Sequence, residues 1–285
     1  MKKIALLLAA WAFALTLAGS QAIAQIATPT IDILSRTLMV KSAVATGTIF
    51  SVDVDNREYW LAAKHILTGA EHPPYGTFTE KSITLSMLDP GVNSGGEAMR
   101  WIAEHFSVID PGKDIDIVIL APATPIMTTP STVKVTTEGP NELTYTLGGD
   151  CEFLGFPFGP WRATFQGRAF WLPFVKHCTV SAETDDKMLF LDGLNNKGFS
   201  GGPVLYQSGP QQRIVGVISS YIAQPEKVIA ATPVPSPNDP GKVVMQPKEP
   251  SEFVNVNSGF FVAYDISLAV DAIRKNPIGA LRRPN

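Results

Sequence analysis

All four histidines of this 285-residue chain, His65, His72, His105 and His177, precede a glycine-framed serine, Gly198-Phe199-Ser200-Gly201-Gly202-Pro203. A serine hydroxyl attacks a carbonyl only when a positioned base takes its proton. The oxyanion that results needs backbone N–H donors converging on one point. Glycines around Ser200 let the backbone turn sharply, with no Cβ covering those N–H groups. The same string fits the G-x-S-x-G elbow of α/β-hydrolases, where the order is Ser, acid, His. With no histidine after Ser200, that fold has no base here. The order Asp, His, Ser fares no better, because Asp53 and Asp55 sit in a polar turn beside Asn56 with no glycine to seat them. The order that survives is His, Asp, Ser.

The rest of the chain reads as all-β. Charged residues make up 17% of it and both Gly and Pro number 23, which favours short strands and turns over helices with charged faces. Apolar or alternating runs at 38–44, 47–54, 58–63, 82–88, 99–109 and 115–120 predict six strands, with Asp55-Asn56-Arg57 as the turn between the second and third. The Pro- and Thr-rich stretch 121–143 shows no helical period and reads as a connector. Strand patterning resumes at 151–155, 168–180, 187–191, 204–207, 213–219 and 259–264. Two sets of six predict two packed six-stranded antiparallel β-barrels. The first spans 25–125, the connector 126–145 and the second 146–265. Prolines crowd 225–250, which reads as a low-order insertion rather than a central strand or helix. Apolar positions at i, i+3, i+4 and i+7 over 266–274 predict one amphipathic helix, with 266–285 as helix and tail.

Residues 1–24 have the pattern of a cleaved leader. Lys2 and Lys3 precede an apolar run over 4–17, and Ala22-Ile23-Ala24 offers a small-x-small cleavage site. The run is too short for a membrane span, so the expectation is a periplasmic or secreted protein with no membrane anchor. A net charge of −3 without basic runs argues against nucleic-acid binding. Cys151 and Cys178 would meet an oxidising compartment. They are read as closing a hairpin with its midpoint near Thr164 or Phe165, a loop worth roughly 3–4 kcal/mol; two free thiols are the alternative. A Cys178 nucleophile is disfavoured, because His177 next to it would point to the opposite strand face.

Among the histidines, His65 ends the apolar run Tyr59-Trp60-Leu61-Ala62-Ala63-Lys64, where two alanines permit close packing that could hold an imidazole rigidly. His72 lies in a loop beside Pro73-Pro74, and His105 alternates with apolar residues in a strand. The acid should open an apolar strand, buried enough to orient the imidazole. Asp114-Ile115-Asp116-Ile117-Val118-Ile119-Leu120 offers two on one strand face. Asp116 is the deeper, running straight into the apolar stretch; Asp114 is the alternative.

Ala62-Ala63-Lys64-His65, Asp116-Ile117-Val118-Ile119-Leu120 and Gly198-Phe199-Ser200-Gly201-Gly202-Pro203 together resemble, in order and separation, the three signature blocks of the chymotrypsin/trypsin-like serine peptidases. Gly155-Phe156-Pro157-Phe158-Gly159 resembles the turn opening the second barrel in bacterial members. Gly216-Val217-Ile218-Ser219 resembles the strand along which substrate backbone pairs. The resemblance implies a chymotrypsin-like fold with Ser200 as nucleophile, His65 as general base and Asp116 as its orienter. It implies an oxyanion hole from the N–H groups of Gly198 and Ser200, and a hydroxyl bond from Ser219 to Asp116. Ser219, Ser220 and Tyr221 would bind substrate, with Leu194 and Asn195 near the mouth of the specificity pocket. Phe199 stands where zymogen-activated members carry an aspartate, so no activation by a newly cut N-terminus is expected. Lys64 stands where a small residue is commoner, and places a cation next to the imidazole unless it points to solvent. The pocket carries neither the aspartate of trypsin-like members nor the histidine of glutamyl-specific ones, so a small or apolar side chain before the cut is expected. The reading is therefore a monomeric exported serine endopeptidase acting on protein or peptide substrates, without cofactor or metal. An inactive binding protein on the same scaffold and an esterase are the alternatives.

Overall fold

The computed structural model describes residues 30–89, 99–135, 145–165, 168–208 and 211–282; the leader 1–24 and residues 136–144 of the connector lie outside them. Strands dominate. In the first half a helix α1 (Ile31–Arg36) leads into β1 (Thr37–Lys41), β2 (Thr46–Val54) and β3 (Arg57–Ala62), then a one-turn helix α2 (His65–Thr68) and β4 (Ser82–Leu88), β5 (Trp101–Ile109) and β6 (Val118–Pro122). Asp55 and Asn56 both take positive φ, 48° and 60°, and Val54 pairs with Arg57. That is the two-residue hairpin turn whose twist suits antiparallel strands. Pairing runs β3-β2-β1-β4-β5-β6 and returns from β6 to β3, closing a six-stranded antiparallel barrel.

The second half holds β7 (Lys134–Val135), β8 (Asp150–Gly155), β9 (Trp161–Phe165), β10 (Arg168–Leu172), β11 (Phe174–Glu183), β12 (Met188–Asp192), β13 (Pro203–Ser208), β14 (Gln211–Ser236) and β15 (Asp239–Asp265). Its sheet is ordered β13-β8-β11-β12-β15-β14-β7, with a further pairing of β13 to β14. A helix α3 (Ser267–Lys275) follows, and β16 (Ala280–Leu281) crosses back to pair with β3 of the first barrel.

Several expected boundaries move. The run 168–180 is two strands, because Pro173 has no N–H to continue the ladder; β10 instead pairs with β9 in a hairpin inside the disulfide loop. The strand expected at 115–120 begins only at Val118, so Asp116 lies in the approach to it. The largest correction is 225–250. It forms a ribbon in which β14 and β15 stay paired from Ala223 and Asn257 out to a turn between Ser236 and Asp239. Proline is barred from a central strand, yet a two-stranded ribbon has free edges, and an N–H turned outward has no ladder bond to lose.

The core explains where the halves meet. Along β2, β3 and β6 alternate side chains face two different interiors, as strand pleating requires. Ile49, Trp60, Ala62, Val118 and Leu120 fill the barrel. Phe50, Val52, Leu61 and Ile119 point the other way and pack with Leu154, Leu205, Ile214 and Val217 of the second sheet and with Ala269, Val270 and Ile273 of α3. A third cluster around Phe153, Val180, Leu191, Phe199 and Phe261 belongs to the second half alone. Cys151 and Cys178 face each other across β8 and β11 and are bonded.

Candidate active site

His65 is the first residue of α2 rather than the end of β3, which stops at Ala62. Ala62 and Ala63 are fully buried, and the space their missing bulk leaves is filled by Gly201. A Cβ on Gly201 would stand 2.2 Å from the Thr48 carbonyl oxygen and 3.2 Å from the Ala62 Cα. Small residues on both sides thus let the serine turn press against the strand that delivers the histidine. Lys64 does not reach solvent. It is wholly buried, paired with Asp110 and donating to the Gly112 carbonyl, so its charge is offset by a carboxylate other than the imidazole's partner.

That partner is Asp116. Its Oδ2 lies 2.7 Å from His65 Nδ1, and its Oδ1 accepts the His65 backbone N–H at 2.8 Å. Ser219 Oγ donates to the same Oδ2 at 2.5 Å. Asp116 is fully buried and Ser219 nearly so. A carboxylate in that position needs such donors, since an unpaired buried charge is costly. Asp114 is exposed in the turn before it, its carbonyl accepting the Tyr264 hydroxyl at 3.2 Å. Tyr75 closes this network from the side. Tyr75 is buried, and burial pushes its hydroxyl pKa up. Neither tyrosine carries a local signal in the sequence, because each reaches the site from a remote segment.

Gly198 has a φ of +102°, and a Cβ there would meet the Phe156 carbonyl oxygen at 2.5 Å, so only glycine fits. The turn is held from outside itself. Thr48 of the first barrel donates its N–H to the Ser200 carbonyl at 2.9 Å and its hydroxyl to the Gly198 carbonyl at 2.7 Å. Gly201 N–H donates to Ile218, and Ile218 N–H to Gly202. With the turn's carbonyls so engaged, the N–H groups of Gly198 and Ser200 have no acceptor among the described residues. Two free donors beside a serine hydroxyl are what an oxyanion requires.

A cavity of about 410 Å³ opens over this turn, lined by His65, Gly198, Ser200, Ser219, Ser220 and Tyr221, with His72 and Lys197 at its margin. The fold therefore gathers onto one cleft residues from positions 65, 198, 200 and 219–221, with Asp116 hydrogen-bonded to the imidazole.

No protein-family model and no curated protein matches this chain. Among solved structures it is similar to the serine endoprotease from Yersinia pestis, at 16% identity and a TM-score of 0.44, over 87% of this chain and 67% of that one. It is similar to the HtrA-type protease AlgW with tripeptide, at 14% identity and 0.47, over 87% of this chain and 61% of that one. A third is Deg5, at 19% and 0.40, over 65% and 79%. The chain thus spans about three-fifths of the AlgW chain. Likenesses this distant do not decide chemistry, and the roles of the residues rest on their own geometry.

The remaining expected residues divide. Asn195 is buried and lines a second cavity of about 420 Å³ with Pro157, Phe158, Asn196, Tyr221 and Asn257. The Leu194 side chain is exposed and lines neither cavity; its carbonyl accepts Lys176 Nζ. His177 is exposed, 4.0 Å from Glu152 in the second half, and His105 lies on β5 against Thr84. Among the described residues no three His, Cys, Asp or Glu side chains are grouped to hold a metal ion, and no helix is long and apolar enough to cross a membrane.

Proposed function

We propose that this chain is an exported serine endopeptidase. The observation that carries the reading is the His65 imidazole, fixed at Nδ1 by a buried carboxylate and sharing one cleft with a serine whose turn presents two unengaged N–H groups. Asp116 fixes the tautomer, so Nε2 is the basic nitrogen and takes the Ser200 proton as Oγ adds to the carbonyl carbon. The oxyanion accepts from the N–H groups of Gly198 and Ser200. Collapse breaks the C–N bond, and the imidazolium returns its proton to the leaving amine. Water, activated by His65 in the same way, then releases the acyl group and restores Ser200.

Two further features support the reading. Phe199 is fully buried against Phe153, ring centroids 4.9 Å apart. An apolar ring there leaves no ionisable group to await a new N-terminus, which fits a site that needs no propeptide cleavage. The pairing of β13 with both β8 and β14 fits a second barrel formed by β8, β11, β12, β13, β14 and β15. The leader-like residues 1–24 would direct the protein to the periplasm or beyond.

The test is a fluorophosphonate probe on the purified protein, with Ser200→Ala as control. Labelling that depends on Ser200, together with cleavage of casein, is the expected result. Labelling with only ester substrates turned over would make this an esterase. A folded protein that takes no label would be a binding protein on a hydrolase scaffold.

A further inference from the structure

The ribbon of β14 and β15 grows out of the cleft. Ser219, Ser220, Tyr221 and Ala223 of β14 line the cavity over Ser200, together with Asn255 of β15. The second cavity shares Tyr221 and Asn255 with the first and adds Asn257. Residues paired directly across two strands project from one face, and the next pair along projects from the other. Ala223 pairs with Asn257, Pro225 with Asn255 and Lys227 with Phe253, so these three pairs share a face. Gln224 and Val256 pair between them on the opposite face and line neither cavity. The face that looks onto the cleft therefore continues outward, past Pro225, to Phe253.

That outer end is apolar and open. Phe253 is 70% exposed, and Pro225, one pair nearer the cleft, is exposed as well. A ring held in water on a face that begins in a cleft gains by meeting an apolar side chain there. The same strand offers an edge to guide such a chain. Pairing of β14 with β13 ends at Val217, and from Ser219 outward the edge away from β15 carries no strand among the described residues. β14 runs outward from the cleft, so a chain laid antiparallel beside it sends its own amino-terminal part toward the ribbon. An extended chain advances about 3.3 Å per residue, as β14 does. With the attacked residue beside Ser219, the residues about six to eight positions earlier pass Pro225 and Phe253. Pro225 has no N–H for a strand added at that edge, so side-chain contact has to hold the chain there.

Resting on the peptidase reading, we infer that Phe253 and Pro225 form a remote subsite for apolar side chains on the amino-terminal side of an extended polypeptide substrate. Short peptides end before they reach it. Its occupant is the substrate itself, because the face that carries the subsite is continuous with the cleft that holds the scissile bond.

The experiment uses the full chain and internally quenched peptides built around a bond the protein cuts in casein. One peptide stops about three residues before the bond. A second is extended on the amino side, with Leu at the positions about six to eight before the bond. A third has Ser at those positions, and a fourth carries the Leu extension on the carboxyl side. Expected is a kcat/KM for the second peptide at least about tenfold above the first, arising in KM, with the third and fourth close to the first. In Phe253→Ser, a change at an exposed position, the ratio of second to first should fall to about one. A wild-type ratio near one, an equal gain from the Ser or the carboxyl-side extension, or an unchanged ratio in Phe253→Ser overturns the inference. So does a ribbon that instead joins two copies, seen as a concentration-dependent dimer in sedimentation that Phe253→Ser abolishes while the ratio stays near one. Fluorophosphonate labelling separates the two levels. A Ser200 that labels and cuts all four peptides alike defeats the subsite alone. A Ser200 that never labels, or labels and cuts no peptide, defeats the peptidase reading and the subsite with it.

Discussion

Ser219 donates to Asp116 at 2.5 Å, and the pair sets the first test of the site. Asp116→Asn keeps the size of the carboxylate but offers an amide to Nδ1, so the imidazole is held in the wrong tautomer. Peptide turnover should fall by about 10⁴. Ser219→Ala removes one of the carboxylate's three donors and should cost about tenfold, read as kcat/KM with little change in thermal melting. His65, Asp116 and Ser200 were legible because each is marked by its own neighbours: two alanines, an apolar run, a glycine cage. Tyr75, Tyr264 and Thr48 were not, since what makes each of them matter is a partner dozens of positions or more away. Lys64 shows the limit from the other side. Its chain position suggested a cation beside the imidazole, and only packing reveals Asp110 as its counter-ion.

Among the elements, the ribbon of β14 and β15 is the piece least tied to the rest. From Ala223 and Asn257 outward it is paired only with itself, and its described side chains there are almost all exposed. Replacing 226–253 by a short turn should leave melting within a few degrees by circular dichroism. Proline density hid this element, because the rule it invokes concerns strands with neighbours on both sides. Helix α1 is the opposite case, short but firmly moored. Its Asp32 accepts from Arg36 at 2.6 Å and from Thr132 N–H at 2.7 Å, tying the helix to the connector. Burial works to raise the Asp32 pKa, yet the bonds from Arg36 and Thr132 hold it below its ordinary value. The folded chain therefore binds fewer protons here than the unfolded one. The contribution is full above the ordinary carboxylate range and is lost as pH falls through the lowered value. Asp32→Asn should cost about 1–3 kcal/mol in urea unfolding at pH 7, a deficit that shrinks below pH 3.8.

At the scale of the whole molecule the two halves are not separable, and the chain's last segment shows why. After α3 packs into the interior shared by both halves, β16 returns to β3 and Arg282 lies 2.9 Å from both Asp53 and Glu58. Burial pushes the Glu58 pKa up while Arg282 opposes it, and the Trp60 indole and the Ile126 and Met127 N–H groups complete its bonds. Arg282→Met would strand that carboxylate. It should cost about 3–5 kcal/mol at neutral pH, less as pH drops and Glu58 takes up its proton, with the melting curve remaining a single transition. An all-β reading reached the first barrel, but not the shared interior or this returning strand, since neither is written in any one stretch of residues. The anchoring of the serine turn by Thr48 carries a last implication. On the proposed peptidase reading, the reactivity of Ser200 is borrowed from the opposite half, so a nascent chain with only one half folded would hold no assembled machinery with which to damage itself or its neighbours.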